Sequence, residues 1–112
     1  MAYQPGDVLL ASIAFPDASG TKKRPVLVIH DFGDADLLLA PVTSRPARGS
    51  QDLVLRDWQR AGLRLPSTVR MSKLATIAKT AVVRKLDHLT DSDQRATREL
   101  LRRLLEGIIG YG

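Results

Sequence analysis

Hydrophobicity changes its period once along this chain, near residue 90, and the two parts on either side must fold differently. Before it, apolar residues come in short runs closed by Pro, Gly and Asp. Gly6-Asp7 opens a strand over Val8–Ala14, and Phe15-Pro16-Asp17 stops it, because Pro fixes φ and offers no ladder donor. Residues 16–23 are polar and turn-rich and read as a loop. Val26–His30 is a continuous β-branched and aliphatic run, the pattern of a buried strand. A turn at Asp31–Asp34 leads into Leu37–Val42, and a polar loop covers Thr43–Gln51. Shorter strand candidates follow at Leu53–Leu55, Ser67–Met71 and Ala81–Leu86. Many short strands separated by turn signals predict a small antiparallel sheet or barrel.

After residue 90 the period becomes that of a helix. Thr90 can cap, and Asp91 and Asp93 suit the positive end of the helix dipole. Ala96, Leu100, Leu101, Leu104, Leu105, Ile108 and Ile109 recur at spacings of three and four, opposite Arg95, Arg98, Glu99, Arg102, Arg103 and Glu106. The apolar stripe is expected to pack on the sheet, while Gly107 and Gly110 weaken the last turn. With 112 residues and no linker or repeat, the expectation is one domain over residues 1–112, with strands across about 8–86 and a helix across about 91–109.

Charge is distributed unevenly. Residues 42–85 carry ten Lys or Arg against two Asp, whereas the segments before and after are slightly acidic. A basic block between near-neutral ends suggests a surface for a polyanion, although a solvated basic face would show the same composition. Other chemistries are excluded cheaply. The chain has no cysteine, so it has no disulfide, thiolate metal site or cysteine nucleophile. His30 and His88 stand far apart without ligand-spaced neighbours and read as structural or surface residues. There is no phosphate loop and no nucleophile elbow. No run approaches the roughly 18 apolar residues of a membrane span, and no basic-then-apolar leader opens the chain, so the expected address is the cytoplasm, with no membrane contact.

Two places remain. Arg24 precedes Pro25, which biases it toward extended backbone and holds it at a strand mouth, whereas Lys22 and Lys23 beside it can swing. A held guanidinium suits bidentate contact with phosphate. Thr43 and Ser44 close the third strand with hydroxyl donors, and Arg45 follows. If strands two and three are neighbours, Arg24 and Thr43 meet at one end of the sheet.

Gly6-Asp7-Val8, Phe15-Pro16-Asp17, Lys23-Arg24-Pro25-Val26-Leu27-Val28-Ile29 and Ala40-Pro41-Val42-Thr43-Ser44 occur in the order found in the MazF/PemK-like toxin family. Asp57-Trp58 with Ala61-Gly62-Leu63, Pro66-Ser67-Thr68-Val69-Arg70 and Lys73-Leu74-Ala75-Thr76-Ile77 continue the likeness, and Leu89-Thr90 precedes the helix. The chain thus resembles these endoribonuclease toxins of type II toxin–antitoxin systems over about residues 5–108. The resemblance implies a mainly β (α+β) fold, an SH3-like small antiparallel β-barrel with a C-terminal helix. It also implies a homodimer, an acidic and partly disordered antitoxin as partner, and cofactor-free, metal-independent cleavage of single-stranded RNA.

By the same resemblance Arg24 and Thr43 are catalytic. The ribose 2′-OH would attack the adjacent phosphate, with Arg24 as charge clamp and Thr43 as hydrogen-bond donor. Lys22, Lys23, Ser44, Arg45, Arg48, Arg70 and Lys73 are candidate RNA contacts. Trp58 could stack a base, against a structural reading as a half-buried turn anchor. Some relatives carry an acid just after the Val-Arg strand, assigned there as a base; here that position is Ser72, and Asp17 is the candidate base instead. Alternatives of the same fold are a CcdB-like gyrase poison, or an inactive member that only binds RNA or antitoxin.

Overall fold

A computed structural model describes residues 2–14 and 20–110. Its strands are β1 (Asp7–Ala14), β2 (Thr21–Asp31), β3 (Asp36–Thr43), β4 (Asp52–Val54), β5 (Thr68–Arg70), β6 (Ala75–Ala78) and β7 (Val82–His88), followed by the helix α1 (Asp91–Ile109). Single 3-10 turns at Met71–Lys73 and Lys79–Ala81 join the last strands. All pairings are antiparallel. The order is β4-β5-β3-β2-β1-β7, and β6 pairs with β3 off this path. β3 therefore splits its outer edge: its first half holds β6, and its last two residues hold β5.

The mainly β architecture with a C-terminal helix is the one expected. The ladder itself stays open, with β4 and β7 as the ends of the path. Two strands depart from the sequence expectation. β2 begins at Thr21, inside the expected loop, because Thr21, Lys22 and Lys23 are in register with Ala14, Ile13 and Ser12 of β1. Their side chains are exposed, so no apolar burial in the sequence announces this part of the strand. β6 was not expected at all.

The pleat explains why β2 reads as a continuous apolar run. Val26 and Val28 join Leu9, Ala11, Leu37 and Leu39 in one core cluster, while Leu27 joins Val8, Ala40, Val42, Val69, Met71 and Leu100 in the other. Successive side chains of a strand point to opposite faces, and here both faces are covered. Thr90 caps α1 by accepting the Asp93 N–H, and Gly110, at φ 79° and ψ 42°, ends it in the left-handed conformation. The helix packs through Thr97, Leu100, Leu101 and Leu104, but Leu105, Ile108 and Ile109 are exposed. Only its first part meets the expectation of packing on the sheet.

Candidate nucleic-acid interface

The β2–β3 ladder ends on one side at Val26↔Pro41. Carried two residues further, the same register sets Arg24 across from Thr43. Both residues line a cleft of about 950 Å³ at this end of the sheet. The two residues expected to meet, Arg24 of strand two and Thr43 of strand three, thus border the same cleft.

Thr43 is half-buried, and its Oγ1 accepts the Arg45 N–H at 3.2 Å. A hydroxyl that accepts through a lone pair still has its own proton to donate. Ser44 and Arg45 line the cleft beside it. Arg70, at the end of β5, lines it too, and its Nε and Nη2 are buried without a hydrogen-bond partner.

The opposite wall comes from residues 55–67. Leu63 donates its N–H to the Trp58 carbonyl at 3.1 Å, and Ala61 and Leu63 are buried in the core with Trp58 packed against them. Trp58 is accordingly a half-buried anchor of this wall and is not among the residues lining the cleft. Asp93 of α1 fastens the base of the segment: its carboxylate accepts the Arg56 N–H at 3.0 Å and the Asp57 N–H at 2.8 Å. Thr90 Oγ1 donates to Asp57 Oδ2 at 2.8 Å. At the top, Gly62 has φ +83°, and a Cβ there would come within 3.0 Å of the Leu86 backbone. The wall consequently lies directly on β7, which places Arg64 and Leu65 of the wall and Arg84 of β7 along the same cleft.

Five arginines line the cleft, Arg24, Arg45, Arg64, Arg70 and Arg84, and among its described lining residues there is no Asp, Glu, Lys or His. Low-dielectric walls carrying one sign of charge focus the field on an entering anion. Among the described residues no three of His, Cys, Asp and Glu gather into a group able to hold a metal ion, and no helix is long and apolar enough to cross a membrane.

The remaining sequence candidates fall elsewhere. Lys22, Lys23, Arg48 and Lys73 are exposed and do not line the cleft. Ser72 is exposed in the 3-10 turn, and Asp17 lies outside the described residues. His30 stacks edge-on against Phe32. His88 bonds Asp7 through Nδ1 at 2.8 Å and Gln94 Oε1 through Nε2 at 2.9 Å, a structural tie between β7, β1 and α1. Arg64 and Arg84 were not singled out in sequence as site residues.

An open antiparallel sheet, a terminal helix and a cleft whose described charges are all guanidinium make this a small, mainly β protein with a cationic cleft at one end of the sheet. Residues 4–105 match the model of the PemK-like, MazF-like toxin of type II toxin–antitoxin systems, and the chain belongs to this family. Solved structures share the fold at low identity. The MazF-mt6 toxin of Mycobacterium tuberculosis superposes with a TM-score of 0.72 at 21% identity, covering 89% of this chain and 96% of its own. A mycobacterial endoribonuclease in complex with its cognate antitoxin gives 0.72 at 15%, covering 93% and 95%. The MazE–MazF structure from Deinococcus radiodurans gives 0.73 at 16%, covering 92% and 95%. No curated protein matches the sequence significantly.

Proposed function

We propose that this toxin is an endoribonuclease that cleaves single-stranded RNA by attack of a ribose 2′-OH on the adjacent phosphate, leaving a cyclic phosphate and a free 5′-OH. The observation that carries this reading is the convergence of Arg24 and Thr43, 19 positions apart in sequence, on one cleft lined by arginine and by no acid among its described residues. In-line attack builds negative charge on the phosphorane oxygens. Preorganised donors aimed at that charge lower the barrier without proton bookkeeping or a metal. Arg24 clamps the charge with the forked N–H donors of its guanidinium, and Thr43 donates to a phosphate oxygen and fixes its position. Ser44, Arg45 and Arg70 extend the contact along the cleft, and Lys22, Lys23, Arg48 and Lys73 attract the strand from outside it.

Restraint follows from the same electrostatics. An acidic antitoxin segment, disordered when free, would fold into the cleft and cover Arg24; the toxin works as a homodimer in the cytoplasm. The test is Arg24→Ala, incubated in EDTA with a long mixed-sequence RNA whose new ends are mapped. We expect cleavage to fall by two to three orders of magnitude, roughly the effect of removing one oxyanion donor, with growth arrest abolished and the melting transition retained. Full cleavage by this variant would remove Arg24 from the mechanism.

A further inference from the structure

We propose that Arg70 is a second anion seat in the cleft, holding a phosphodiester of the RNA strand beside the one held by Arg24 and Thr43. The inference rests on the nuclease reading only for the identity of the anion. Three buried polar side-chain atoms among the described residues lack a partner, and Arg70 carries two of them, Nε and Nη2. Burying a cation without a counter-charge is costly, and groups left in that state mark sites that a ligand completes.

The register sharpens the point. In the β4–β5 ladder Asp52 stands directly opposite Arg70, the position from which a carboxylate would neutralise it. Asp52 instead accepts the Arg48 N–H through Oδ2 at 2.8 Å, and no ion pair joins it to Arg70. Nε and Nη2 are the adjacent donors of one guanidinium edge, the pair that grips two oxygens of a phosphate or carboxylate in parallel. Arg70 lines the cleft together with Arg64 and Arg84, so its neighbours there add positive charge rather than remove it. A phosphodiester is the favoured occupant because the cleft already presents Arg24 and Thr43, and a strand laid through it carries a phosphate at every nucleotide.

The experiment uses the full chain and a mixed-sequence 2′-fluoro RNA, which lacks the attacking hydroxyl and cannot be cut. Its binding is followed by fluorescence anisotropy over a range of salt, beside an oligoglutamate peptide. Arg70→Gln should weaken RNA binding about tenfold or more and reduce the slope of log Kd against log salt by about 0.7, the loss of one phosphate contact on a single strand. Arg70→Lys keeps the charge and loses the fork, so it should keep the slope while still weakening affinity. If Arg70→Gln does not fold, the lysine variant decides: unchanged affinity overturns the seat. Unchanged RNA binding with a lowered melting temperature makes Arg70 an internal strut, shared with the buried Gln51 Oε1, and overturns it as well. Loss of oligoglutamate binding alone assigns the seat to a protein carboxylate and overturns the RNA proposal. Absence of RNA cleavage by the unmodified protein, with the Arg70 effects intact, would sink the nuclease reading and leave the seat standing.

Discussion

Asp93 uses both carboxylate oxygens on backbone, accepting from Arg56 and Asp57, while sitting almost wholly out of solvent. Removing it strands two amide donors at the foot of the cleft wall. Asp93→Ala should cost about 2–3 kcal/mol in urea unfolding, the range for charge-assisted bonds whose partners are left unmet, and Asp93→Asn should cost less because one acceptor survives. In the sequence this residue reads only as an acid in a helix's first turn, since the amides it serves lie 36 and 37 positions away. Arg24 and Thr43 were easier to find. Pro25 marks the first, and the end of an apolar run marks the second, both local signals. Arg64 and Arg84 carry none: Arg64 is aimed by the wall's contact with β7, and Arg84 by the bulges that shift β7 against β1.

At the level of elements, strands with an apolar face were legible and strands without one were not. β3 and the helix were readable to within a residue or two, because burial imposes a period on them. β6 has only Ile77 half-buried among exposed neighbours, and the first residues of β2 have nothing buried, so neither shows the apolar period by which a strand is read. The open sheet was likewise invisible, since no local pattern says whether β4 and β7 will pair. The wall's seat on β7 depends on one residue. Gly62→Ala adds a Cβ within 3.0 Å of the Leu86 backbone at a φ that side chains rarely adopt. It should lower stability by about 1–3 kcal/mol and weaken RNA binding by displacing Arg64, measured by urea unfolding and anisotropy together.

For the whole molecule, acid sets the boundary of stability. Asp31 accepts N–H groups from Tyr3 and Gly33, both at 2.8 Å, and an ion pair from Lys79 at 2.9 Å, which together hold its carboxyl well below the usual range. At Asp7 burial opposes the charged form, but the Gln4 N–H, His88 and Lys85 outweigh it and lower the pKa. A carboxylate depressed in the fold contributes its full stabilisation above its unfolded value of about 3.9 and loses it as pH falls through the folded value. Stability should therefore hold from neutrality to about pH 5 and decline below it. Asp31→Asn should flatten that decline, as followed by urea midpoints across pH.

The five cleft arginines arrive from β2, the turn after β3, the wall, β5 and β7. Nothing but the tertiary structure brings them together, so an unfolding chain scatters its positive field and loses its hold on any bound polyanion. By linkage, whatever fills the cleft also steadies the fold. An inhibitor seated there would prolong the life of the very molecule it silences.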